Sequence, residues 1–155
     1  MKVFLSYSIN DLDQFVIPSI ARKLQMQGFS VANGRLKLSE NIDYQTQNEI
    51  NTSVLFIGLI TTSGNANQRV YKEWLYTLQY KIPAVLLVED SYNLQKEWES
   101  HPNLIRFNRH EPETAINRIN LNIDQSKATN NLLEAAPWIL GGGALITLVN
   151  LLSKE

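Results

Sequence analysis

The sequence predicts an α/β domain: a five-stranded parallel sheet with helices on both faces, followed by an apolar C-terminal helix. Three observations carry this expectation. Short apolar runs alternate with segments of helical period from the amino terminus to about residue 124. One run, Val54–Ile60, is apolar throughout and rich in β-branched residues, as a strand covered on both faces must be. The segment Ala135–Leu152 carries no charge at all.

The elements follow in order. Val3–Tyr7 is a short apolar run closed by polar residues and reads as a buried strand. Asp11 to Gln27 reads as a helix, with Ile17, Ile20, Ala21 and Leu24 on one stripe and Gly28 as its C-terminal stop. Pro18 fits poorly inside that span, so the helix starts or kinks there. Phe29–Asn33 is the second strand, and a polar loop runs from Asn33-Gly34 to Asn41. Asp43 is placed to cap a helix reaching about Thr52.

Val54–Ile60 is the central strand, and the turn-rich loop Thr61–Gln68 leads into a helix over Arg69–Tyr80. Val70, Trp74 and Leu78, with Leu75, form its expected core face. Pro83 is tolerated at the start of the next strand, Ala84–Val88, because the first residue needs no ladder donor. An irregular stretch to His101 precedes a strand at Leu104–Phe107 and a last helix over roughly Pro112–Ile123. Strands that alternate with helices imply a parallel sheet covered on both sides.

Composition narrows the function. Apolar residues make up 44% and charged residues 19% of the 155, enough to bury a core. A net charge of −1 supplies no basic field for nucleic acid. The absence of cysteine removes disulfides, thiol catalysis and zinc fingers. His101 and His110 have neither metal-ligand spacing nor a triad order, and no metal is expected. Ser63-Gly64-Asn65 lacks the Lys-Ser/Thr tail of a phosphate-binding P-loop. Glu97, Trp98 and Glu99 read as a surface patch suited to self-association. The start of the chain is too short in apolar residues for a secretory signal, so a cytoplasmic domain is expected.

Several blocks, Val3–Ser8, Gly28-Phe29-Ser30-Val31, Glu49-Ile50 with Ser53, Val54–Ile60 and Arg69–Val88, share an order and spacing. Together they resemble the TIR domain (Toll/interleukin-1 receptor family), over about Val3 to Asp124. The resemblance implies a flavodoxin-like TIR fold over 1–124; the polar stretch 125–131 reads as a linker, and the apolar segment follows over 132–155. The resemblance also implies that NAD+ is the substrate, with no cofactor, and that TIR surfaces self-associate. In the family's enzymatic branch a glutamate at the place of Glu73 cleaves the nicotinamide–ribose bond, giving nicotinamide and ADP-ribose or a cyclic variant.

That chemistry passes through a cationic, oxocarbenium-like sugar, which a carboxylate beside the ribose stabilises. One carboxylate suffices, because nicotinamide leaves as a neutral amine. The resemblance places Tyr7, Ser8, Lys37 and Arg69 around the substrate. Tyr7 follows the first strand, and Lys37 lies in the loop expected to close over the site. The chain departs from the family in Asn33-Gly34, where an acidic residue is common. It departs again at Arg69, where the enzymes often carry an aromatic four residues before the glutamate.

Two functions remain open. One is an NAD+ nucleosidase of the immune or anti-phage defence type, activated by clustering. The other is a non-catalytic TIR adaptor that assembles and recruits partners. A flavodoxin-like receiver domain is excluded, since Ser6-Tyr7-Ser8 lacks the acidic cluster it needs. Ala135–Leu152 lies near the lower limit of length for a bilayer-spanning helix, about 17 residues, with Trp138 and Lys154 where interfacial anchors belong. It is expected to hold the domain to the inner or cell membrane; a helix-oligomer seam or a disordered tail is the other reading.

Overall fold

The computed structural model describes residues 1–8, 16–34, 41–111, 113–114 and 116–119. The elements are β1 (Lys2–Ser6), α1 (Val16–Met26), β2 (Ser30–Asn33), α2 (Tyr44–Asn51), β3 (Leu55–Ile60), α3 (Asn67–Gln79), β4 (Ala84–Glu89) and β5 (Leu104–Phe107). A 3₁₀ turn covers Lys96–Trp98, and backbone at 113–114 and 116–119 is helical. All four strand pairings are parallel, in the order β2-β1-β3-β4-β5. This is the expected five-stranded parallel sheet, in flavodoxin-like strand order. Lys37, the linker 125–131 and the apolar segment Ala135–Leu152 lie outside the described residues. Among the described residues no helix is long and apolar enough to cross a membrane.

Strand alternation sorts the core into two layers. Val3, Leu5, Leu55, Ile57, Leu59, Val85 and Leu87 point to one face, where Ile20 and Leu24 of α1 and Ile116 and Ile119 cover them. Phe4, Phe56, Ile60, Leu86 and Val88 point to the other, beneath Ile50 of α2 and Val70 and Trp74 of α3. All six residues of β3 are buried, as its apolar run requires of the middle strand. β2, at the sheet edge, has no fully buried residue.

Two helix ends share one geometry. Gly28 has φ 84°, with its N–H donating to Gln25 O at 2.9 Å and the Phe29 N–H to Leu24 O at 3.0 Å. That is a Schellman motif with glycine in the left-handed position. After α3 the same pair of bonds forms, Lys81 N–H to Leu78 O at 3.3 Å and Ile82 N–H to Thr77 O at 2.8 Å. Here a lysine takes the left-handed position, at φ 55°.

Other expectations need adjustment. Pro18 is the third residue of α1, within the first turn, where helical N–H groups have no intrahelical partner and its missing donor costs little. Asp43 does cap α2, accepting from Thr46 N–H at 2.8 Å. The buried face of α3 consists of Arg69, Val70, Glu73, Trp74 and Thr77, rotated from the apolar stripe expected. Leu75 and Leu78 pack only at its margin. Trp98 is partly buried rather than wholly on the surface: its ring meets Trp74 edge-on at 5.5 Å, and His101 meets Trp74 at 5.0 Å. Burial holds the His101 pKa below the usual histidine range, and its Nδ1 accepts from Asn103 N–H at 3.2 Å, as a neutral ring can.

Candidate active site

In an open parallel sheet the crevice for ligands lies at the carboxyl ends of the strands, where the strand order reverses. Here the reversal falls between β1 and β3. Ser6 is the last residue of β1, and the alternation that sends Phe4 under α3 sends Ser6 to the same face. Glu73 lies one turn beyond Arg69 on the buried side of α3 and is only 2% exposed. The two meet: Ser6 Oγ donates to Glu73 Oε2.

The other carboxylate oxygen is held by Arg69, whose Nε is 3.5 Å from Oε1. The same guanidinium donates through Nη2 to the Tyr7 carbonyl at 2.7 Å. At the end of β2, Gly34 closes on the group, so that a Cβ there would lie 4.0 Å from Glu73 Oε1 and 3.2 Å from Phe4 Cζ. Burial raises the pKa of Glu73. The Ser6 hydroxyl and the Arg69 charge work against that rise, and the Asp43 carboxylate adds to it. A recess of about 210 Å³ adjoins, lined by Ala32, Asn33, Gly34, Gln45, Thr46 and Glu49.

Of the residues expected around a substrate, Arg69 and Glu73 come together in direct contact. Tyr7 reaches them through its carbonyl, while its partly buried ring packs with the α1 layer on the opposite face of the sheet. Ser8 is buried and accepts from Ala66 N–H at 2.9 Å, fastening the turn after β1 to the start of α3. Lys37 lies outside the described residues. Ser6 was readable as a strand residue but not as a partner of Glu73. The signal for it is the two-residue period from Phe4, combined with the knowledge of which helix covers that face.

A second acidic group stands at the end of β4. Glu89 accepts from Thr62 N–H at 2.7 Å and from Arg109 Nη2 at 3.0 Å, joining the loops after β3 and β5. Burial alone would raise its pKa, but the bonds from Thr62, Ser91 and Arg109 together hold it below the usual carboxylate range. Among the described residues no group of three or more histidine or acidic side chains is placed to hold a metal.

No protein-family profile matches the chain, and no curated protein matches it. Solved structures do. The CMP N-glycosidase BcmB of Clostridium botulinum superposes with a TM-score of 0.57 at 16% identity, over 78% of this chain and 98% of that one. The TIR domains of the activated Roq1 resistosome, which directly recognises the pathogen effector XopQ, give a TM-score of 0.48 at 16% identity, over 99% and 98%. At such identity the likeness to the glycosidase is one of fold.

Proposed function

We propose that this chain cleaves the bond between a ribose and a nitrogen heterocycle, with NAD+ as substrate and Glu73 as the group that meets the developing positive charge. The observation that carries the reading is the placement of Glu73: a buried carboxylate at the carboxyl edge of the sheet, beside the reversal of strand order. In the reaction the C1′–N bond breaks and its electron pair stays on the nicotinamide nitrogen, discharging the pyridinium. Water then adds to C1′ and releases a proton, leaving ADP-ribose; a ribosyl or adenine acceptor in place of water gives a cyclic product. A carboxylate in a water-poor site stabilises the cationic sugar more strongly than one in solvent.

The test is nicotinamide release from NAD+ by the full chain, with and without a clustering agent, beside Glu73→Gln. Because the fold is shared with an enzyme that acts on CMP, cytosine release from CMP belongs in the same assay. Activity on NAD+ that is lost in Glu73→Gln supports the proposal; none on either substrate in the clustered state ends it.

One observation favours a second reading. Both oxygens of Glu73 are already engaged by Ser6 and Arg69, as in a residue that only ties α3 to β1. A non-catalytic, self-assembling adaptor would need no more. Attachment through Ala135–Leu152 rests on the sequence of that segment, and pelleting of the full chain with membranes, against a chain stopped near Asn130, tests it.

A further inference from the structure

Arg69 is the side chain on the buried face of α3 that stability explains least. It is a cation only 8% exposed, in the third position of the helix, where the positive end of the helix dipole disfavours it. It precedes Glu73 in the chain, which is the weaker order for an i, i+4 ion pair. A buried pair of this kind often recovers no more than the hydration its two ions lose. What accounts for its place is what it touches. Nε faces Glu73 Oε1 at 3.5 Å, and Nη2 donates to the Tyr7 carbonyl at 2.7 Å, so one guanidinium spans the carboxylate and the turn leaving β1.

We propose that Arg69 is a positioning residue for the chemistry of Glu73, keeping the buried carboxylate ionised and fastening the turn after β1 to it while Ser6 fixes the other oxygen. The proposal rests on the reading of Glu73 as the carboxylate that faces the ribose. Among the described residues, the groups that face Glu73 come from four elements. They are Arg69 of α3, Ser6 of β1, Asp43 at the cap of α2 and the backbone of Gly34 at the end of β2. Asp43 and burial favour the protonated acid, and Ser6 and Arg69 favour the carboxylate. Of these groups Arg69 brings the only positive charge. An acid that has taken up its proton cannot stabilise a cationic sugar, so the Arg69 contact, together with the Ser6 bond, extends the competence of the site to lower pH.

Two readouts test this on the full chain: the titration of Glu73 followed by carbon NMR of glutamate-labelled protein, and the pH–rate profile of nicotinamide release. Arg69→Met should move the Glu73 midpoint and the acid limb of the rate to higher pH together. Its activity should be lost at an acid pH where wild type is still active, and recover toward wild type as the pH rises. Arg69→Lys keeps the charge and should restore most of the profile. Arg69→Gln, which retains a donor for the Tyr7 carbonyl, is the second neutral variant should methionine prevent folding. A Glu73 midpoint unchanged in the neutral variants overturns the proposal. A midpoint that moves in a protein that never releases nicotinamide upholds the role of Arg69 and defeats the enzymatic reading instead.

Discussion

The hydroxyl of Ser6 donates to the carboxylate of Glu73, joining the end of the first strand to the middle of the third helix across 67 positions of sequence. Neither partner is placed by its own hydrophobicity. Ser6 faces α3 because Phe4, two residues earlier, must be buried there. Glu73 faces β1 because Val70, Trp74 and Thr77 around it on the helix are buried. The site is thus assembled by the packing of its apolar neighbours, and changes to that packing are the first thing to test.

Phe56 is fully buried in β3, its ring 5.9 Å from that of Phe4. Phe56→Asp places an unpaired carboxylate beneath α3 with no partner to offset its lost hydration. The variant should be unfolded or form an aggregate, read by circular dichroism and thermal melting. A soluble protein with near-wild-type melting would contradict the burial of this face.

Gly58 of β3 sits against Val70 of α3. A Cβ there would lie 2.9 Å from Leu86 Cδ1 and 3.1 Å from Val70 Cγ1. Gly58→Ala should therefore destabilise by about 1–3 kcal/mol through overpacking, and should tilt the helix that carries Glu73. Urea unfolding gives the first effect. A neutral or stabilising outcome would mean that the layer yields more easily than its contacts imply.

Lys81 holds a left-handed backbone, at φ 55°, with a side chain that gains nothing from it. The two Schellman bonds use backbone atoms only, so Lys81→Gly keeps them and removes the steric cost. A gain of about 1 kcal/mol is expected, less what glycine adds to the freedom of the unfolded chain. Gly28, at the matching place after α1, already has the favoured residue, and Gly28→Ala should lose stability.

The sheet was legible because its signal is local. Uninterrupted apolar runs name β3 and β4, and capping residues such as Asp43 mark helix starts within a few positions. Orientation around α3 was not. Counting apolar residues points to Leu75 and Leu78, whereas the buried face includes an arginine and a glutamate that no apolar pattern selects. Those two are buried because they satisfy each other along with Ser6 and the Tyr7 carbonyl, and that pairing exists only once β1 and α3 are side by side. Trp98 escaped for the same reason: flanked by Glu97 and Glu99 it reads as exposed, yet its partner Trp74 is 24 residues earlier in the chain.

Glu89 predicts the acid side of the stability profile. Its pKa is held below that of an unfolded glutamate, so its contribution is present above the unfolded value and is lost as the pH falls through the folded one. Protonation there breaks the charged contacts with Arg109 and with Thr62 N–H. Glu89→Gln should be about 1–2 kcal/mol less stable than wild type at pH 7, a gap that closes as the pH drops below 4. Urea midpoints across that range check it; a gap constant with pH would place the acid sensitivity elsewhere.

Glu73 has the opposite sign. Burial raises its pKa in the folded protein, so its contribution to stability is fully present below the unfolded value and is lost as the pH rises through the raised one. Glu73→Gln does not titrate, and its stability relative to wild type should therefore improve as the pH rises from the unfolded glutamate value through the raised one, and level off above it. The chemistry should move the other way. The amide retains the size of the side chain and an oxygen to accept from Ser6, but it brings no negative charge to a cationic ribose, and loss of such a group commonly costs about 10²–10³ in rate. A folded Glu73→Gln that follows the expected stability trend yet consumes NAD+ as fast as clustered wild type would leave Glu73 as a strut between β1 and α3.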